Sequence, residues 1–132
     1  MSRSNDNQAN SERPRSATPA YRVAPIFTQE GILQPIGEQS GRDPIILPRT
    51  KPFRIGRDAS CELQLFDVRV SRQHAKIEFT AGDYILTDLN SSNGVYVNGT
   101  RIIHPVILQH DDLIEFGSFG GVVYRFEFID LD

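Results

Sequence analysis

Two polar clusters carry the chemistry this chain can offer. The first closes on an arginine, Phe53-Arg-Ile-Gly-Arg57. The second comes in two pieces, Ser71-Arg-Gln-His74 and Ser91-Ser-Asn-Gly-Val-Tyr-Val-Asn-Gly99. Arg57 can present a planar fork of donors to a phosphate in bidentate fashion. Ser71 and Ser92 add hydroxyls beside turn N–H groups, which together bind anions. Arg72 supplies a further guanidinium, and the Asn93 amide can both donate to and accept from a peptide main chain. Such groups hold an anion and leave it intact. Each also has a plain structural counterpart: Arg57 pairing with Asp58 or Glu62, Ser71 capping its own loop, Asn90–Gly94 serving only as a turn.

His74 follows Ser71 by three residues, but no acidic residue is placed to orient it and no nucleophile elbow surrounds the serine. Its expected role is to fasten the Ser71 loop through ring hydrogen bonds. His104 and His110 lack metal-ligand spacing, and the single cysteine, Cys61, rules out a cysteine cage or an intrachain disulfide. Neither a metal, a cofactor nor a catalytic activity is expected.

The elements that must position these residues read as short strands. His74–Phe79 alternates, with Ala75, Ile77 and Phe79 on one face and His74, Lys76 and Glu78 on the other. Glu62–Phe66 alternates, and so does Val122–Ile129. Tyr84–Leu89, Val95–Val97 and Leu113–Phe116 are further strands, with weaker candidates at Ile32–Ile36 and Pro44–Leu47. Turns fall at Ala81-Gly-Asp83, at Asn93-Gly94, where the glycine supplies a positive φ, and at the hairpin signal Asn98-Gly99. Strands this short, joined by tight turns, predict an all-β antiparallel sandwich with loops at one end free to carry function.

Read together, Gly56-Arg57, Ser71-Arg-Gln-His74 and Asp88-Leu-Asn-Ser-Ser-Asn-Gly-Val-Tyr-Val-Asn-Gly99 resemble the forkhead-associated (FHA) domain, from about Phe53 to Gly117. The resemblance implies a β-sandwich of about eleven strands that binds phosphothreonine peptides through loops at one end. It places Arg57, Ser71, Arg72 and Ser92 at phosphate contacts and Asn93 on the peptide main chain. Gly56, His74, Gly94, Asn98 and Gly99 fall at architectural positions. Val95 stands where the family commonly has threonine, and Ser92 keeps only the hydroxyl of the usual threonine. Asp111 replaces a glycine, a position aspartate tolerates in the left-handed region. Arg69, two residues before Ser71, would share its side in an extended segment and meet an acidic side chain downstream of the phosphothreonine; the alternative is an arginine facing Asp67 or solvent.

The chain's 132 residues suit one domain, expected over 21–132 after a disordered tail at 1–20. Thr18 in that tail could be modified by a kinase and fold back on the domain. The net charge of −3 and the lack of a basic, aromatic-interleaved stripe speak against nucleic acid. No apolar run reaches the roughly 20 residues of a membrane helix, and no leader is evident at Met1–Gln8. A cytoplasmic location and a phosphothreonine-bearing protein partner are expected, in kinase signalling or regulated assembly. The competing reading is a scaffold on the same fold that binds its partner without phosphate.

Overall fold

The computed structural model describes residues 29–37, 40–118 and 121–130; the expected tail at 1–20, with Thr18, lies outside them. The strands are β1 (Gln29–Pro35), β2 (Ile45–Ile46), β3 (Phe53–Gly56), β4 (Leu63–Gln64), β5 (Ala75–Thr80), β6 (Asp83–Asp88), β7 (Val95–Val97), β8 (Thr100–Arg101), β9 (Val106–Ile107), β10 (Leu113–Phe116) and β11 (Val122–Asp130). They form a six-stranded sheet ordered β2-β1-β11-β10-β7-β8 and a five-stranded sheet ordered β4-β3-β5-β6-β9. All pairings are antiparallel except β3 with β4, which run parallel.

The alternation of β5 works as expected for Ala75 and Ile77, which are buried, while Lys76 and Glu78 turn out and pair at 3.1 Å. From the facing sheet, Leu33, Val95, Ile114, Phe116 and Phe126 meet Ile55, Ala75 and Leu86, all fully buried. Burial of this apolar surface is the main driving force for closing the two layers. Glu62–Phe66 yields only the two-residue β4: Leu65 is buried beyond it, and Phe66 is 84% exposed.

The turns follow their chemistry. Ala81 and Gly82 adopt φ of 51° and 88° between β5 and β6, and Asn98 and Gly99 adopt 52° and 85° between β7 and β8. Both central residues at positive φ match the twist of the strands they join. Asp111 takes φ of 73°, so the turn survives without glycine. Asn98 then clasps the start of β10: its Nδ2 donates to Asp112 Oδ1 at 2.9 Å and its Oδ1 accepts from Leu113 N at 3.0 Å.

β1 and β11 run the length of the domain, paired from Gln29 opposite Asp130 to Pro35 opposite Tyr124. Beyond the Val122 end, Gly117 N donates to Gly94 O at 3.1 Å. The polar clusters therefore gather at the pole opposite Gln29 and Asp130. Among the described residues, no helix is long and apolar enough to cross a membrane.

Candidate functional site

Arg57 leaves the end of β3 and is fixed at both backbone and side chain. Its N–H donates to Ser71 O at 2.9 Å, and its Nε donates to Val70 O at 2.9 Å. Orienting the guanidinium through Nε leaves the two terminal nitrogens of the fork for a ligand. Neither acidic neighbour takes Arg57. Glu62 pairs with Arg54 at 3.1 Å, whose side-chain hydrogen bond holds its carboxyl at about 2. Asp58 accepts from the Ser60 hydroxyl and N–H, and these bonds keep its carboxyl below the ordinary value.

The 71–74 segment is held against β3 by Asp58 N to Arg72 O at 3.1 Å and His74 N to Ile55 O at 2.9 Å. Gly56 makes this approach possible: a Cβ there would stand 2.1 Å from Arg72 O. Arg72 itself is exposed, with its charge near Asp58.

Ser71 Oγ accepts from Ser92 N at 3.0 Å, joining the two halves of the polar signature across the pole. The 91–94 turn is braced from within by Ser91 N to Asp88 Oδ1 at 2.9 Å and Gly94 N to Ser91 Oγ at 3.0 Å. Gly94 has φ of 94°. Asn93 Nδ2 donates to Arg69 O at 2.9 Å, which fixes the amide and leaves Oδ1 as an acceptor for a peptide N–H.

His74 fastens this assembly, as expected from its position. Its Nδ1 accepts from Ser71 N at 2.9 Å, so Nε2 carries the proton and donates to Gly94 O at 2.7 Å. The ring is fully buried, edge-on to Phe116 at 6.0 Å. The alternation groups it with Lys76 and Glu78, on the face opposite Ala75 and Ile77. It is buried because β5 begins only at Ala75, and the loops at 71–73 and 91–94 close over the residue before it. Burial pushes its pKa below the ordinary 6.5, against the opposing effects of the Gly94 carbonyl and Asp88.

Arg69 departs from its expected geometry. The segment before Ser71 is a turn, closed by Val70 N to Asp67 O at 2.9 Å, rather than extended. The Arg69 guanidinium grips Asp67 through Nε at 3.0 Å and Nη2 at 2.7 Å, and this bonding draws the Asp67 carboxyl to about 2. Its charge is already offset, and its main-chain carbonyl serves Asn93 instead.

Arg57, Ser71, Ser92 and Asn93 are thus brought together through direct bonds or bonds to adjacent residues. Sequence reading missed two contributors, the Val70 carbonyl and Asp88, and one neighbour of the turn, Arg101. Asp88 could have been found, since an aspartate three residues before a serine on a loop is a local capping pattern. The Val70 carbonyl carries no side-chain signal. Arg101 emerges only from the β7–β8 pairing, which sets it opposite Tyr96 and lays it against Gly94.

The fold is a two-sheet β-sandwich whose polar loops converge at one pole. The FHA domain family matches residues 53–117. A human protein, angiogenic factor with G patch and FHA domains 1, is 35% identical over 83 residues, covering 55% of this chain and 12% of the relative. An FHA domain solved in connection with phosphothreonine-dependent FHA domain interactions is 30% identical, with a TM-score of 0.65, covering 74% of this chain and 95% of that one. EmbR from Mycobacterium tuberculosis, in complex with a low-affinity phosphopeptide, is 31% identical with a TM-score of 0.64, covering 74% of this chain and 24% of that one. The chain belongs to the FHA domain family, and it spans only a small part of the human relative.

Proposed function

We propose that this domain is a phosphothreonine-dependent protein-binding module, serving as an adaptor in Ser/Thr kinase signalling or regulated assembly. Arg57, Ser71, Arg72 and Ser92 take the phosphate and Asn93 takes the peptide main chain. The observation that carries this reading is the anchoring of Arg57 through Nε to Val70 O, beside the Ser71–Ser92 bond. A phosphothreonine brings close to two negative charges and three acceptor oxygens. Donors held in place before binding meet it with little loss of conformational freedom. Among the described residues, the groups at this pole offer charge-assisted hydrogen bonds and no activated nucleophile, which supports action by binding. The FHA relatives above, one solved in connection with phosphothreonine-dependent FHA domain interactions and one in complex with a phosphopeptide, support the same ligand. A cytoplasmic setting suits Cys61, a buried free thiol.

Calorimetric titration with a matched peptide pair, one phosphorylated on threonine and one not, tests the proposal. Binding is expected for the phosphorylated peptide alone. Arg57→Ala is expected to weaken it about tenfold to a hundredfold, the loss of one charge-assisted contact of roughly 1.5–3 kcal/mol. Equal binding of both peptides would instead support a phosphate-independent scaffold, and unchanged affinity in Arg57→Ala would sink the site assignment.

A further inference from the structure

Arg101 is a cation at the same pole that no role above uses. It lies on β8, the outer strand of its sheet, and is exposed. Its side chain crosses the Cα face of Gly94, where a Cβ would stand 2.6 Å from Nε and 3.0 Å from Cζ. Among the described residues its guanidinium has no hydrogen bond or ion pair, unlike Arg54, Arg69 and Arg125, each of which grips a carboxylate.

The sheet order fixes which flank it occupies. Gly94 precedes β7, which has β10 on one side and β8 on the other. Gly117, just past β10, packs against Arg69, whose carbonyl anchors Asn93. The phosphate cradle, through Val70 and Ser71, continues from that flank. Arg101 stands on the opposite one. It also borders a groove of about 460 Å³ walled by Val97, Ile102, Ile103 and Val106, between the outer strands β8 and β9.

We propose that Arg101 extends the phosphopeptide site and reads an acidic side chain of the same bound segment, on the flank of Asn93 away from the phosphate. This rests on the phosphothreonine reading above. An arginine fork free of an internal counterion favours a carboxylate and disfavours a lysine at that place. Arg69, offset by Asp67, leaves this selection to Arg101.

The test is fluorescence anisotropy with phosphothreonine peptides on an alanine background. Each position from four before to four after the phosphothreonine is set in turn to aspartate, alanine or lysine. One position is expected to prefer aspartate over alanine by about three- to tenfold. Arg101→Gln keeps a stem over Gly94 and should abolish that preference while binding the all-alanine phosphopeptide as before. Arg101→Glu should reverse the preference toward lysine. No charge preference at any position, or one that persists in Arg101→Gln, overturns this inference while phosphate-dependent binding of the all-alanine peptide stands. Indifference of that alanine peptide to phosphate removes the underlying reading and this one with it.

Discussion

Adding a proton to His74 would turn Nδ1 from an acceptor into a donor facing Ser71 N–H, and donor against donor repels. The depressed pKa is the thermodynamic face of that geometry. As pH falls through 6.5 the unfolded chain takes up a proton that the folded chain refuses, so the contribution is complete above 6.5 and is lost below it. Glu62 and Asp67, held at about 2, contribute fully above their ordinary values of 4.5 and 3.8 and titrate outside this window. Urea unfolding of the wild type and His74→Asn across pH 7 to 5 should show the stability difference between them shrinking as pH falls. A difference constant with pH would contradict the neutral, buried ring. The tethering role of this histidine was legible because Ser71 lies close in sequence. Its burial was not, because that depends on where β5 begins and on a loop twenty residues away.

At the scale of elements, the end of β3 and the 71–74 segment are locked by contact between backbones. Gly56→Ala is therefore expected to cost about 2–3 kcal/mol, since its Cβ would meet Arg72 O at 2.1 Å and the carbonyl has no rotamer by which to escape. It should also weaken phosphopeptide binding by displacing Ser71. Gly99→Ala makes the informative contrast: nothing lies within 4 Å of its Cβ, and only the φ of 85° resists a side chain. It should cost about 1–2 kcal/mol and leave peptide affinity unchanged. Chemical denaturation and titration of both variants check this, and equal affinity losses would refute the distinction. The hairpin at Asn98-Gly99 and the turn at Asn93-Gly94 were readable because their signals are local. The Asp67–Val70 turn, the parallel β3–β4 pair and the short strands β8 and β9 were not, since partners distant in sequence define them. For Arg69 the alternative facing Asp67 is the one realised, because the segment before Ser71 closes on itself instead of extending.

The whole molecule separates its two poles by the length of β11, nine residues and so about 30 Å. One pole carries the polar 71–74 and 91–94 loops, and the other holds Gln29 and Asp130 side by side as the outermost pair of β1 and β11. That arrangement has a mechanical consequence. Tension applied at residues 29 and 130 loads the β1–β11 ladder at its last rung and peels it one hydrogen bond at a time. Tension applied at residues 35 and 130 would load all the rungs together in shear. Optical-tweezer pulling should give the lower rupture force for the first pair of handles, and equal forces would show that another interface yields first. A domain strained in a stretched assembly would then begin to yield at the pole farthest from the 71–74 and 91–94 loops, which would be the last to feel the load.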